Sequence, residues 1–470
     1  MSYNSLRTSK NINKTKFIRL MKTFRLLIVA LLLAASASAQ RYERRAMRGE
    51  YSPTVYLISV QEVDTIYNYG PYAMQQAAAL NRMAVDNATQ DYIETHRPGF
   101  QQVEKPQFVF ATKNNRFSFS LGGFVSLRAG YDFDGIVDNI DFVTYDIPVH
   151  GSYDTRQKLM MDASTSRLFM KAITNTRALG RVVVFMDADF RGGAEGSYTP
   201  RLRSAYVSFL GFTLGRDVTT FCDLSAAPTT IDFQGPNGAT FYRATQVSYT
   251  YKGLKNFRFN ASVEVPAVDG TTNSELDIAQ QRMPDFTAYA QYGWNSKSHV
   301  RVGGLIRSMT YTSTLSDKAH AVTGFGIQAS TTFNLGKQWQ VFGQATYGKG
   351  IGQYLNDLSN LNVDIVPNPD EAGKMQALPM LGWYAGLQYN ISPKVFLSST
   401  YSMSRLYSEN GYPANEPSTY RYGQYFVANL FWNVTPNMQV GAEYLRGWRT
   451  NFDNSTNHAN RMNLLVQYSF

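Results

Sequence analysis

From Phe117 to the end of the chain apolar side chains return at every second position, and this period restricts the possible folds more than any other feature. In residues 117–131 one face carries Phe117, Phe119, Leu121, Val125, Leu127, Ala129 and Tyr131, and the other Ser118, Ser120, Phe124, Ser126 and Arg128. Strand side chains point alternately to opposite faces, so this is a strand with one apolar side. It is longer than the usual five or six residues of a soluble strand and fits a tilted membrane strand with an extension. The pattern returns at 256–265, where Phe257, Phe259, Ala261, Val263 and Val265 alternate with polar residues. It returns again at 461–470, where Met462, Leu464, Val466, Tyr468 and Phe470 oppose Arg461, Asn463, Gln467 and Ser469.

Sixteen such segments begin near residues 117, 166, 181, 201, 212, 241, 256, 285, 299, 321, 339, 380, 394, 420, 438 and 460. That spacing leaves roughly 22 residues for each strand and its connection, as membrane strands need. Short links (174–180, 210–211, 252–255, 295–298, 335–338, 392–393, 434–437) alternate with long ones (132–165, 266–284, 350–379, 406–419). Short turns at one end and long loops at the other describe an up-and-down barrel. An even strand number closes the sheet and leaves no edge unsatisfied in hydrocarbon. Aromatic residues end the outward stripes at Tyr131, Tyr249, Tyr251, Tyr292, Trp294, Tyr389, Trp432, Tyr444 and Phe470, as interfacial girdles require. The expected fold class is all-β: a 16-stranded antiparallel transmembrane β-barrel with a short helical N-terminal periplasmic segment.

Composition removes the competitors. Only 17% of residues are charged, against about 25% in soluble domains. Past position 40 no apolar run approaches the roughly 20 residues of a membrane helix. The single cysteine, Cys222, excludes a disulfide scaffold and any cysteine-based zinc site; in an exported chain it is expected to be a free buried thiol. The formal charge of +10 suggests a nucleic-acid partner until the cations are located. Arg7, Lys10, Lys14, Lys16, Arg19, Lys22 and Arg25 precede residue 40 with no acid among them, which leaves +3 for residues 41–470. No nucleic acid is expected as a partner.

Those first residues read as a secretory signal peptide over 1–39, with the apolar core 26–33, the ending Ala35-Ser36-Ala37-Ser38-Ala39, and Met21 as the expected start. Residues 40–112 are expected to form a periplasmic N-terminal segment, with a helix over 72–94 that is stopped by Pro98-Gly99. That helix suits either weak self-association as a periplasmic coiled coil or a loosely docked linker. The barrel domain is expected over 113–470.

In a wide barrel the chemistry lies on the inward face and in any loop folded into the bore. Parity places Arg128, Arg167, Lys171, Arg258, Arg301 and Arg307 inward, with the acids Asp187, Asp189, Glu264 and Glu443. A charge on the lipid side would cost about 2–4 kcal/mol at mid-bilayer. Each of these residues could equally be a salt-bridged wall residue, but as a set they form a polar path. The link from Arg216 to Gly238 is unlike a solvated tip, because its Phe, Leu and Ile residues need burial and the nearest surface is the barrel interior. Packed there, it would form a constriction, with Arg216, Asp217, Asp223, Asp232 and Phe233 as its candidate residues. Its acids would face the inward cations and set up a transverse field. The terminal strand, ending in Tyr468 and Phe470, fits the C-terminal signal read by the barrel-assembly machinery.

Catalysis has little support. His96, His150, His299, His320 and His458 are scattered, and no metalloprotease, nucleophile-elbow or P-loop motif occurs. No cofactor and no metal are expected.

The stretches RLRSAYVSF (201–209), PTTIDFQGPNG (228–238) and GKGIGQYLNDL (348–358) resemble the DcaP-like family of trimeric outer-membrane channels. So do VANLFWNVTPNMQVGAEYLRGWRT (427–450) and NHANRMNLLVQYSF (457–470). The resemblance covers most of 117–470. It implies a sixteen-stranded homotrimeric porin whose third loop narrows the pore, passing small solutes with a leaning toward anions such as dicarboxylates. The expected function is passive diffusion of small polar, anionic or zwitterionic molecules across the bacterial outer membrane, with lipid as the surrounding partner. The competing reading is a barrel with a plugged lumen that serves as an anchor or adhesin.

Overall fold

The computed structural model describes residues 56–57, 95, 108–111, 117–135, 140–149, 157–295, 297–413 and 418–470. The expected signal peptide and the helix over 72–94 lie outside the described residues, apart from Thr95 just beyond the helix. The barrel strands, in chain order, are β1 (Phe117–Asp134), β2 (Arg167–Thr176), β3 (Gly180–Asp189), β4 (Arg201–Phe209), β5 (Phe212–Val218) and β6 (Arg243–Tyr251). They continue as β7 (Phe257–Glu264), β8 (Asp285–Asn295), β9 (Ser298–Ser313), β10 (Ser316–Leu335) and β11 (Trp339–Lys349). The set ends with β12 (Pro379–Ser392), β13 (Val395–Leu406), β14 (Tyr420–Thr435), β15 (Met438–Asn451) and β16 (Thr456–Ser469).

Each strand pairs antiparallel with the next, and β16 pairs back onto β1 from Asn460↔Asp134 to Ser469↔Phe124, closing sixteen strands into a barrel. A segment Lys158–Asp162 extends the β2 side by pairing with β1 at Arg128–Asp132. β1 runs beyond the end of β16, and there Phe108–Ala111 pairs with Ser118–Leu121, while Tyr56–Leu57 pairs in parallel with Phe108–Val109. The free edge of β1 is thus covered. Phe470 secures the same corner, since its N–H donates to Gly123 O and its own carbonyl accepts from Gly123 N, both at 2.9 Å.

The sheet keeps the period-two pattern throughout. Leu121, Val125, Leu127 and Tyr131 are exposed on the outside of β1, and Ser118, Ser120, Ser126 and Arg128 are buried inside. Ile306, 62% exposed, stands between Leu305 and Arg307, each 1% exposed. Two strands begin earlier than the apolar pattern shows, at Ser316 and Thr456. Their first residues are polar and project past the apolar band, where alternation is no longer imposed by lipid.

Among the described residues, the long connections that turn into the barrel include L1, described at 140–149, L3 (219–242) and L6 (350–378), with 265–284 packed against L6. A shared apolar core forms inside the wall from Phe221 of L3, Ile351, Tyr354, Leu355 and Leu358 of L6, and Leu305, Met380 and Leu406 of the strands. L6 also carries a small hairpin, Ile365–Pro367 against Met375–Ala377.

The closing seam is held by charge as well as by the ladder. Arg461 Nε of β16 donates to Asp132 Oδ1 of β1 at 2.6 Å, a second guanidinium nitrogen reaches Oδ2 at 3.0 Å, and the third donates to Ile140 O of L1 at 2.8 Å. Both side chains are fully buried. Removing one partner strands a buried charge, so Arg461→Ala is expected to lower stability by about 3–5 kcal/mol in urea refolding into detergent. The double change Arg461→Met with Asp132→Leu is expected to lose much less.

Candidate functional site

The interior has two sides of different chemistry. On β1 to β6 the inward residues form an arginine wall. Arg167 (β2), Arg203 (β4) and Arg128 (β1) are buried at 2–5% exposure, and Arg243 (β6) is half-buried. Arg201 grips Asp189 with two bonds of 2.9 and 2.7 Å, and Arg203 adds a third at 2.7 Å. Asp187 lies 3.7 Å from Arg167 and 3.6 Å from Arg203. Arg191, on the link between β3 and β4, holds Asp141 of L1 with bonds of 2.8 and 2.7 Å, and Arg128 donates to Asp162 at 2.8 Å. With Lys171 of β2 and Asp217 of β5 counted, seven inward cations meet five aspartates, so positive charge is in excess. Phe233, from L3, lies over this wall: the guanidinium carbons of Arg191, Arg203, Arg128 and Arg201 stand 4.6, 5.1, 5.7 and 6.0 Å from its ring centre. Such cation–π contacts fix the tip of the loop without neutralising the cations.

Facing this wall, L3 reaches across to β9, β10, β13, β14 and β15. Asp223 accepts from Ser330 Oγ at 2.7 Å, pairs with His299 Nε2 at 2.7 Å, and lies 3.4 Å from Arg301, which also donates to Cys222 O at 2.9 Å. Burial pushes the Asp223 carboxyl up, yet Arg301 and His299 beside it hold it well below the usual carboxylate range. Farther along, the Glu443 carboxylate of β15 accepts the backbone N–H groups of Ile231 and Asp232 at 2.7 and 2.8 Å. Gly238 N donates to Ser402 Oγ at 2.9 Å. Cys222 is a free thiol buried against Thr240 O, and burial raises it far above its ordinary value. Beneath the loop a cavity of about 190 Å³ remains, lined among others by Phe233, Phe241, Gln344 and Tyr384.

The three loops lock together through carboxylates. Asp232 of L3 accepts from Phe142 N of L1 at 3.0 Å and from Tyr425 of β14 at 3.0 Å. Asp357 of L6 accepts from Thr144 N at 3.1 Å, from the Thr144 hydroxyl, and from Tyr420 of β14 at 2.6 Å. Asn237 of L3 then donates to Thr144 at 3.0 Å. Burial, with Asp141 and Glu443 nearby, pushes Asp232 up to about 7; burial raises Asp357 to about 6. A carboxyl raised in the folded state contributes most stability when protonated and loses it as pH climbs from the unfolded value, near 4, through the folded one. Open-channel current noise is therefore expected to rise between pH 5 and pH 8 as the interlock loosens. Noise that is flat or falls over that range would count against this latch, and Asp232→Asn is expected to flatten the rise.

The candidate residues read from the sequence fall into separate places. Arg128, Arg167, Lys171, Asp187, Asp189, Glu264, Arg301, Arg307 and Glu443 are buried on the inward side. Arg258 shares the parity of Asn260 and Glu264 but is exposed, close to the short-turn end of β7. Asp217 is inward and accepts from Ser204 Oγ at 3.2 Å. Arg216 and Asp217 both belong to β5 rather than to the loop, which begins at Thr219. The register sets Arg216 opposite Ala205 and Thr245, on the outward parity, because the pairing of β5 continues to Val218↔Arg243. The Asp232 carboxylate takes its hydrogen bonds from Tyr425 and the Phe142 N–H rather than from an inward cation. Tyr468 is outward and 51% exposed. Sequence reasoning missed Arg203, Arg243, Asp285 and the whole inward role of L6. Arg307 lies 3.1 Å from Asp364 of L6 and 3.3 Å from Asp285, and the Tyr354 hydroxyl donates to Asp285 at 2.8 Å. The run Ile351, Tyr354, Leu355, Leu358 carried the same need for burial that singled out L3.

Comparison with known proteins gives a coherent result. Residues 101–470 match the family described as DcaP outer membrane protein. The structure is similar to the outer membrane channel DcaP of Acinetobacter baumannii, with 24% identity and a TM-score of 0.66, over 77% of this chain and 99% of that one. More distant likenesses include OmpT of Vibrio cholerae, with 12% identity and a TM-score of 0.48 over 76% and 98% of the two chains. OmpF of Salmonella typhi shows 11% identity and a TM-score of 0.48 over 76% and 99%. No curated protein matches the chain.

Proposed function

The chain belongs to the DcaP outer membrane protein family, a porin-like channel of the bacterial outer membrane, and we propose that it passes small anionic solutes of dicarboxylate type by passive diffusion through a bore narrowed by L3. The observation that carries this reading is the arginine wall. Six guanidinium groups and Lys171 meet five carboxylates, Asp217 included, with Arg191 and Arg201 still 17% and 40% exposed at the side chain. An anion in a narrow, low-dielectric passage gains most from such an excess. Inside the wall L3 and L6 share an apolar core. That packing fits a constriction, and it equally fits the competing reading of a plugged anchor or adhesin.

Planar-bilayer recording separates the two. Stable conductance steps with an anion-selective reversal potential in a salt gradient are expected. An absence of steps would leave the anchor reading, and cation selectivity would overturn the charge preference. A homotrimer remains part of the proposal on the strength of the family resemblance, to be read from the mass of the complex in detergent. A role for Tyr468 and Phe470 in delivery to the assembly machinery is likewise proposed. Slower insertion of a Phe470→Ala chain would support it.

A further inference from the structure

The outward face of the barrel changes character at one place. On β7 and β8 every outward position is apolar or aromatic. Along β15 the outward series runs Met438, Val440, Ala442, Tyr444 and then Arg446 and Trp448, with Leu445 and Gly447 buried on the other side. On β13 the outward series ends in Arg405, between buried Ser404 and Leu406. Asn460 stands directly opposite Arg446, and Gln424 opposite Trp448. All four polar residues lie toward the long-loop ends of their strands, just past the apolar band. In barrels of this kind that end faces the outer leaflet.

Both guanidinium groups are half-exposed and lie against aromatic rings: Arg446 is 5.0 Å from the Trp448 ring centre, and Arg405 is 4.6 Å from that of Tyr407. The Nε of each is itself buried and has no hydrogen-bond partner, and among the described residues neither group forms an ion pair. Two arginines on a lipid-facing wall, beside Trp and Tyr at headgroup depth, need an anion supplied from the membrane.

We propose that this strip on β13 to β16 binds the phosphates of a phosphorylated glycolipid of the outer leaflet. Guanidinium forks match phosphate oxygens in two-bond geometry. Arg405 and Arg446 lie two strands and four residues apart, about 16 Å by strand spacing and rise, so one bis-phosphorylated headgroup can approach both. Gln424, hydrogen-bonded to Tyr401, and Asn460, hydrogen-bonded to Asp134 and Tyr444, are the neutral polar groups beside them. A second copy of the chain is a poorer occupant, because outward strand positions offer few carboxylates. Asp134, at the same level, already accepts from Asn460 at 2.8 Å.

The test reconstitutes the whole protein in phosphatidylcholine vesicles containing bis-phosphorylated lipid A or its dephosphorylated form. The protein is then re-extracted in mild detergent, and the retained lipid A is counted by mass spectrometry. At least tenfold more of the phosphorylated form is expected on the unaltered protein, and Arg405→Gln with Arg446→Gln is expected to abolish the difference without changing the complex's mass. Equal retention of the two lipids overturns the proposal with no variant needed. It is also overturned if the double variant keeps its phosphorylated lipid. A variant that changes oligomeric mass but not lipid content would assign the strip to a second copy, against the proposal.

Discussion

Deleting residues 220–241 and closing β5 to β6 with a two-residue turn is expected to raise single-channel conductance about two- to threefold, because a sixteen-stranded barrel without an inward loop leaves an open aqueous channel. The deletion suits the local geometry. Val218 and Arg243 are already ladder partners, and Thr219 N donates to Tyr242 O at 2.9 Å, so the loop leaves and returns at one point of the wall. A short hairpin turn can replace it with the register intact. The wall groups that lose L3, among them Glu443, Ser402 and Ser330, are polar and would be rehydrated by the wider bore. The deletion removes Phe221 from the apolar core and the L3 backbone partners of Tyr354, Asn356 and Asp357, and leaves L6 held by Arg307–Asp364 and by Asp357 with Thr144 and Tyr420, so L6 is expected to stay in place. A folded deletion variant with unchanged steps and unchanged polymer-exclusion size would sink the constriction.

The legible part of this molecule is the part governed by local rules. Lipid on one side and water on the other force alternation residue by residue, so strand starts at 117, 201, 212, 285, 339, 420 and 438 can be read directly from the chain. Where that force ends, so does the signal, as at the polar outer ends of β10 and β16. Inward charges follow from parity, but their partners do not. Asp232 meets Tyr425 and Thr144 meets Asp357 across about two hundred residues of sequence, and those pairings exist only once the loops have folded inward. Loop acids expected to face cations divide accordingly: Asp223 lies next to Arg301, while Asp232 caps backbone and tyrosine donors. Misreading L6 has a different cause. Gly350 and Gly352 at its start are turn residues by type, and the apolar run among and after them, Ile351, Tyr354, Leu355 and Leu358, is too short to show a period although it anchors the interior core.

The second large effect concerns charge. Replacing Arg191 and Arg201 with Gln is expected to lower the anion-to-cation permeability ratio about tenfold in dilute salt. Both are partly exposed at the wall, so their field reaches the solute, whereas Arg167 and Arg203 are buried and hold Asp187 and Asp189 in place. One charge about 7 Å from the path changes an ion's energy by about 0.6 kcal/mol in water, with opposite sign for anion and cation. Screening over a Debye length of about 10 Å at 0.1 M weakens this by about half, and two charges together then give roughly the stated factor. Four arginines and Lys171 against five aspartates would remain, so the excess that favours anions disappears while Asp189 keeps Arg203 at 2.7 Å and Asp141 keeps Arg128 at 3.7 Å. Lysine at the same two positions is expected to restore most of the ratio, since the field depends on charge, even though the bidentate grip on each aspartate is lost. A reversal potential unmoved by the glutamine pair would mean that the permeating ion never passes the arginine wall.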